Sequence, residues 1–223
     1  METKTLNDIA EQFVSEIGSD SYSQFAKVLG LLATGRPVAI GEVANELGLT
    51  LSEAKKFLTR YGGEFDSKGN LLGLGLTMVP TAHRIEIDGH NLYAWCSTDT
   101  LLFPTLLDKP AKIETADPIT GEKIRLAVGP EGVENVEPGS AVLSLSNYLD
   151  ATDVRGTFCN VGHWFASRQT GEEYASKHKG VVILTPEEVR TVLNVVAEKT
   201  EPRSNLSENS ARIREHKSES RGS

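Results

Sequence analysis

The stretch IGEVANELGLTLSEAKKFLTRY, residues 40–61, decides how the first part of the chain folds. Its apolar residues recur three and four positions apart, which is the spacing of helices with one buried face. Gly48 interrupts this pattern, and Thr50 and Ser52 are residue types that commonly cap the start of a new helix. The stretch is therefore typical of two helices joined by a tight turn, a helix-turn-helix.

Helices are predicted before this stretch and a pair of strands after it. Helical spacing extends over residues 6–17 and again over 25–32. Between residues 65 and 87 the pattern changes to two-residue alternation, with 66–70 as a turn, which indicates a strand pair. Helices followed by such a ribbon predict a winged-helix-like N-terminal domain over residues 1–80.

The middle of the chain has the pattern of short strands interrupted by helices. Strands are predicted at 84–87, 92–95, 111–115, 124–128 and 141–145, separated by Gly- and Pro-containing turns. Helices are predicted at 98–107, at 171–178 and after Pro186. The whole chain is thus expected to be α+β, with a catalytic domain over 81–200 built from a mixed or antiparallel sheet and surrounding helices.

Residues 201–223 have a different composition, with almost no apolar side chains and many Ser, Glu and Arg. Such a segment buries too little surface to offset the entropy lost on ordering. We expect a disordered polar tail.

The composition is that of a globular protein with a negative charge. The 223 residues are 39% hydrophobic, and 31 acidic against 23 basic residues give a net charge of -8. Phosphate backbones and anionic lipids would repel such a chain, so neither a nucleic-acid nor a membrane partner is expected. The helix at 51–61 carries Lys55, Lys56 and Arg60 but also Glu53, and this weak basic patch favours a scaffold over a DNA-reading helix.

The N-terminus lacks the basic start and apolar run of a secretory signal, and apolar stretches such as Val181–Leu184 are far shorter than the roughly 20 residues that span a bilayer. We therefore expect a cytoplasmic protein. Its two cysteines, Cys96 and Cys159, are expected to be free thiols.

Cys96 lies where a predicted strand meets a predicted helix. The positive end of the helix dipole is expected to lower the pKa of this thiol, which could then act as a nucleophile or a ligand for a soft metal. Asp99, three residues on, would lie on the same side of the helix and could carry a proton. The alternative is that Cys96 is a small buried apolar residue and Asp99 only caps the helix.

Cys159 is the second candidate, in a segment rich in aromatic residues that also contains His163. If both residues lie on one strand, about 13 Å separates them, which is too far for a catalytic dyad. No Gly-rich phosphate loop, Cys-x-x-Cys or His-Glu-x-x-His occurs, so no nucleotide, redox or zinc cofactor is indicated.

The sequence resembles the organomercurial lyases (alkylmercury lyases), bacterial mercury-resistance enzymes that cleave the carbon–mercury bond. The shared residues are Gly35-Arg36-Pro37-Val38, Asp66 with Lys68-Gly69-Asn70, Tyr93-Ala94-Trp95-Cys96 with Asp99-Thr100, Phe103-Pro104, Asp153-Val154-Arg155, Phe158-Cys159, His163 through Ser167, and Ala175-Ser176-Lys177-His178. The resemblance implies a catalytic and mercury-binding set of Cys96, Cys159 and Asp99. Some relatives have a further cysteine after the second motif, where this chain has Asn160.

The chemistry of these residues agrees with that resemblance. Hg(II) is a soft ion that prefers thiolate ligands, and thiolate binding makes a mercury-bound carbon easier to protonate. We expect an organomercurial substrate, no cofactor, release of Hg(II) to external thiols, and mercuric reductase as an acceptor. Two alternatives stay open: a winged-helix sensor that binds a soft metal without catalysis, and an enzyme acting on organotin compounds or copper.

Overall fold

The computed structural model describes residues 3–17, 19–129, 132–150 and 152–200, and the predicted disordered tail lies outside them. The helices are α1 (Thr3–Ile17), α2 (Ser19–Leu32), α3 (Ile40–Leu47), α4 (Leu51–Arg60), α5 (Ser97–Leu107), α6 (Val154–Thr157), α7 (Arg168–Lys177) and α8 (Pro186–Thr200). The strands are β1 (Glu64–Phe65), β2 (Leu71–Leu74), β3 (Leu76–Thr77), β4 (His83–Ile87), β5 (His90–Ala94), β6 (Ala111–Ala116), β7 (Lys123–Gly129), β8 (Gly132–Glu137), β9 (Val142–Ser146), β10 (Trp164–Phe165) and β11 (Val181–Leu184).

The two helices predicted over residues 40–61 are α3 and α4, and the break between them is where the sequence indicated it. Gly48 ends α3 in the left-handed conformation with φ of 66°, which glycine adopts without strain. Thr50 then caps α4: the Glu53 backbone N–H donates to the Thr50 hydroxyl, and the Thr50 backbone N–H donates to the Glu53 carboxylate at 2.9 Å. This reciprocal capping box fixes the start of α4.

The strands form two antiparallel sheets. The larger has the order β1-β2-β3-β5-β4-β6-β7-β8, and the smaller has the order β10-β9-β11. Strand β3 pairs with β5 through Leu76 and Ala94. Strands β1, β2 and β3 therefore belong to the same sheet as β4 to β8, which follow residue 80. The mixed helix and antiparallel-sheet class is confirmed, whereas the division at residue 80 stays a prediction.

The predicted strands are present as β4, β5, β6, β7 and β9, and the predicted helices as α5, α7 and α8. Three strands, β8, β10 and β11, were missed, and β11 is a four-residue apolar run without alternation. β8 pairs only with β7 at the edge of the large sheet, so most of its side chains are exposed and no apolar alternation marks it. β10 has two residues, too few to show a period.

Helix α5 lies between the two sheets and contacts β4 and β5 of one and β9 of the other. All side chains from Ser97 to Pro104 are buried. The indole N–H of Trp164, on β10, donates to the Thr100 hydroxyl at 3.1 Å and ties the small sheet to this helix. The first turn of α5 is therefore held in the interior of the protein, between residues of both sheets. In the parts of the chain described, no helix has the length and apolarity to cross a membrane.

Candidate active site

Cys96 lies at the junction of β5 and α5, where the sequence placed it. The residue occupies the N-cap position of α5 with an extended backbone, and its side chain is fully buried. The backbone N–H of Asp99 is hydrogen bonded to the Cys96 sulfur. The thiol thus contacts the first turn of the helix that also carries the candidate proton carrier.

Cys159 lies in a single 3₁₀ turn, Cys159–Val161, that follows α6. The premise that it shares a strand with His163 was wrong, because the chain turns here instead of extending. Asp153 caps α6 by accepting a hydrogen bond from the Gly156 N–H at 2.9 Å, and only Phe158 separates that helix from the turn. The ring of His163 packs edge-on against Tyr174, with the ring centroids 5.2 Å apart.

The fold brings Cys96, Asp99 and Cys159 together. One potential ligand atom from each, the two sulfurs and a carboxylate oxygen, lies within 4.8 Å of the others, and all three side chains are buried. The two thiols also hydrogen bond to each other. Both cysteines are free thiols, as expected. Two sulfurs side by side form a donor set suited to a soft metal ion.

Burial, not the helix dipole, governs the acidity of the thiols. The pKa of Cys96 is raised well above its ordinary value, first by burial and then by the hydrogen bond with Cys159 and the charge of Asp99. The hydrogen bond with Cys96 lowers the pKa of Cys159, but burial and Asp99 outweigh it and the net shift is upward. The expectation of a lowered pKa for Cys96 was therefore wrong, and both thiols carry their protons at neutral pH.

Near pH 7, Asp99 is present in both its protonated and its ionised form. Burial raises its pKa from 3.8 to about 7, against hydrogen bonds from the Cys96 side chain and backbone that lower it. Its Oδ2 atom is buried and has no hydrogen-bond partner among the described residues. One carboxylate oxygen is therefore available to hold a proton in the site.

The raised pKa of Asp99 predicts a stability cost that grows with pH. The folded protein retains a proton that the unfolded chain releases above pH 3.8, so stability falls as the pH rises toward 7. Asp99→Asn removes this cost, on the order of 4 kcal/mol at full ionisation. In urea denaturation we expect a larger gain in the free energy of unfolding near pH 8 than near pH 5. An equal gain in the free energy of unfolding at both pH values would contradict the raised pKa of Asp99.

An apolar cavity of about 60 Å³ adjoins the trio. Its lining includes Phe13 of α1, Phe25 of α2, Trp95 and Phe158, together with Asp99 and Cys159. Phe13 contacts Phe158 edge-on, with ring centroids 5.6 Å apart, so α1 packs directly on the segment that carries the second thiol. The cavity is a place for an apolar group next to the Cys159 sulfur and the Asp99 carboxyl.

A charged network beside the cavity was missed by the sequence reasoning. Glu64 accepts hydrogen bonds from Arg155 at 2.7 Å and from the indole N–H of Trp95 at 3.2 Å. The Arg155 guanidinium also lies over the Trp95 ring, 4.6 Å from its centroid. No local signal could have revealed this contact, because the three residues are distant in the sequence and meet only in the folded chain.

The protein is thus of the α+β class, with two buried thiols and a carboxyl beside one another and an apolar cavity that Cys159 and Asp99 help to line. The alkylmercury lyase (MerB) family profile matches residues 76–197. An alkylmercury lyase of Bacillus cereus is 40% identical over 165 residues, covering 74% of this chain and 76% of the relative. One of Pseudomonas putida is 37% identical over 176 residues, covering 78% and 83%. The chain belongs to the alkylmercury lyase family.

A solved structure supports the same fold. The crystal structure of the mercury-bound form of MerB2 superposes with a TM-score of 0.72 and 22% identity, over 89% of this chain and the whole of that one. The family profile and the two relatives confirm the resemblance stated from the sequence motifs.

Proposed function

We propose that this protein is an organomercurial lyase, which cleaves the carbon–mercury bond of alkyl- and arylmercury compounds by protonolysis and yields a hydrocarbon and Hg(II). The observation that carries this proposal is the convergence of Cys96, Asp99 and Cys159 within 4.8 Å in the interior. Membership in the alkylmercury lyase family supports it. The biological role that follows is detoxification of organic mercury.

The first step is capture of the substrate by one thiol. Its sulfur replaces the ligand that accompanies R–Hg(II), and the thiol proton leaves with that ligand. Mercury favours this exchange because it binds soft sulfur much more strongly than oxygen donors. The raised pKa values of Cys96 and Cys159 keep both thiols neutral until the metal arrives, since metal binding displaces the proton.

The second step transfers a proton to carbon. The remaining thiol gives its proton to Asp99 as its sulfur binds mercury, and Asp99 passes this proton to the carbon. The carbon–mercury bond breaks, a carbon–hydrogen bond and a second sulfur–mercury bond form, and no redox change occurs. With a pKa of about 7, Asp99 can both accept and return the proton near neutrality.

The apolar cavity would receive the organic group. Its aromatic walls, among them Phe13, Phe25 and Phe158, exclude water from the carbon that is to be protonated. The Oδ2 atom of Asp99, without a hydrogen-bond partner among the described residues, is the oxygen we assign to proton delivery.

Product release requires thiols from outside the protein. Two buried sulfurs hold Hg(II) tightly, so a small cellular thiol, or the cysteines of a mercuric reductase, would remove the ion by ligand exchange. The reaction as written needs no cofactor. These partners, and a cytoplasmic location where such thiols are abundant, are part of the proposal.

For the N-terminal part we propose a winged-helix-like scaffold. Helices α2, α3 and α4 precede the β1–β2 hairpin, and an isolated bridge joins Val38 to Leu71 of that hairpin. Helix α2 contributes Phe25 to the cavity. The net charge of -8 argues against a nucleic-acid partner, so we assign this part to covering the site.

The assay that tests the function is incubation with phenylmercury or methylmercury in excess small thiol, with the headspace hydrocarbon measured by gas chromatography. We expect catalytic release of benzene or methane. Without added thiol, release is expected to stop after one equivalent. Mercury binding without hydrocarbon release would instead indicate a metal sensor, and the thiol alone provides the background rate.

A further inference from the structure

Ser144, on β9, links the segments that carry the two thiols. Its hydroxyl donates a hydrogen bond to the Val161 carbonyl at 2.6 Å and accepts one from the His163 N–H at 2.9 Å. Its backbone N–H donates to the His163 carbonyl, also at 2.9 Å. The side chain is fully buried, so no water competes for these bonds. Three hydrogen bonds from one residue therefore hold the end of the turn that starts at Cys159.

The same residue is tied to the other thiol. The Ser97 hydroxyl donates to the Ser144 carbonyl at 3.3 Å, and Ser97 is the direct neighbour of Cys96. The Ser97 backbone N–H donates to the Gly162 carbonyl at 3.1 Å. Ser97, Ser144 and residues 161–163 thus form a closed ring of hydrogen bonds between the two thiol-bearing segments.

Gly162, inside this set of hydrogen bonds, packs against the Cys96 side chain. A Cβ atom at Gly162 would lie 2.8 Å from the Cβ of Cys96 and 3.4 Å from its sulfur. The ring of His83, itself buried, is hydrogen bonded to the Gly162 backbone on another side. A shift of the turn would therefore move Cys159 relative to Cys96.

We propose that Ser144 is a positioning residue, which fixes the separation of the Cys96 and Cys159 sulfurs so that both can bind one mercury ion. Ser144 does not touch the reacting atoms and acts through residues 161–163. The kinetic part of this proposal rests on the proposed lyase activity, whereas the thiol-pair geometry does not.

Ser144→Ala is the test variant, and Ser146→Ala is its matched control. Ser146 is on the same strand, is buried, and has a hydroxyl that donates to the Tyr148 carbonyl at 2.7 Å and accepts from the Tyr148 N–H at 3.2 Å. Both variants lose comparable hydrogen bonds, so their loss of stability should be similar. Only Ser144→Ala should alter the thiol pair.

The first readout is binding of Hg²⁺ alone, followed by alkylation and intact-mass measurement. In the wild type and Ser146→Ala, one equivalent of Hg²⁺ should protect both cysteines from alkylation. In Ser144→Ala we expect one cysteine to be alkylated at least ten times faster. Equal protection in all three proteins would overturn the proposal, whether or not the chain proves to be a lyase.

The second readout is the cleavage of phenylmercury. Because a misplacement of about 1 Å can cost on the order of 100-fold in rate, we expect kcat of Ser144→Ala to fall by about 10- to 100-fold. KM should change little, since capture needs one thiol. A loss matched by Ser146→Ala would mean a structural role only.

If Ser144→Ala fails to fold, hydrogen exchange of the wild-type protein replaces it. The amides of Ser97 and His163, which donate within the ring, should exchange as slowly as those of the central strands. Fast exchange at these two amides would overturn the proposal.

Discussion

Asp99→Asn is expected to capture phenylmercury like the wild type and to release almost no benzene. The amide keeps the shape of the carboxyl but cannot take the proton of the second thiol or return it to carbon. Loss of a positioned acid-base group of this kind lowers rates by about 100- to 10,000-fold. Capture should survive because it depends on a thiol, and the phenylmercury adduct should be seen as an intact-mass increase.

Asp108→Asn is the matched control for that variant. Asp108 ends the same helix, α5, is exposed, and has a left-handed backbone that asparagine also tolerates. We expect its turnover to equal that of the wild type. Full turnover by Asp99→Asn would refute the proton transfer through Asp99, since no other carboxyl belongs to the thiol-containing cluster found among the described residues.

Cys96→Ser and Cys159→Ser should each abolish turnover. A serine hydroxyl is a hard, weakly acidic donor that mercury binds poorly. Residues that act as a unit lose their function together. We therefore expect the turnover rate of each single variant to fall by more than about 1,000-fold, and that of the double variant to fall no further. Benzene release is the measurement.

The two single variants should also show which thiol captures the substrate first. The variant that retains the capturing thiol should accumulate a phenylmercury adduct without releasing benzene, and the other should form the adduct slowly. Circular dichroism should show a wild-type fold for both, since serine has the same shape as cysteine, is only somewhat smaller and can make the same hydrogen bonds. If either variant turned over at a rate near that of the wild type, the two-thiol mechanism would be wrong.

Local patterns predicted most elements because those elements depend on local interactions. The capping residues Thr50 and Glu53 start α4, and the change from helical to alternating spacing marks the strands. The edge strand β8 was not predicted because it is exposed on one side and shows no apolar alternation. Strand patterning contains no information about which sheet a strand joins, so the pairing of β3 with β5 was not foreseen.

The site was predictable in part. The strand-to-helix junction placed Cys96 and Asp99 together, since residues three apart share a helix face. No sequence spacing predicts that Cys159 lies beside them, because that contact exists only in the folded chain. The family resemblance predicted the contact instead. Ser144 and Glu64 were missed for the same reason: each acts through partners far away in the sequence.

The acidity of Cys96 shows where local reasoning fails. The helix N-terminus does donate an N–H to the sulfur, as a dipole argument expects. Full burial and the nearby carboxyl oppose it and prevail, which raises the pKa. Burial depends on the packing of both sheets around α5, and a sequence motif does not report it.

In the proposed mechanism, Cys96 and Cys159 jointly hold the mercury that is left when the carbon departs. A single-turnover experiment tests this joint binding: one equivalent of phenylmercury is added without external thiol, the protein is alkylated, and its intact mass is measured together with the benzene. We expect one benzene per chain and a protein that retains mercury, with neither cysteine alkylated. Benzene release with one cysteine still open to alkylation would contradict it.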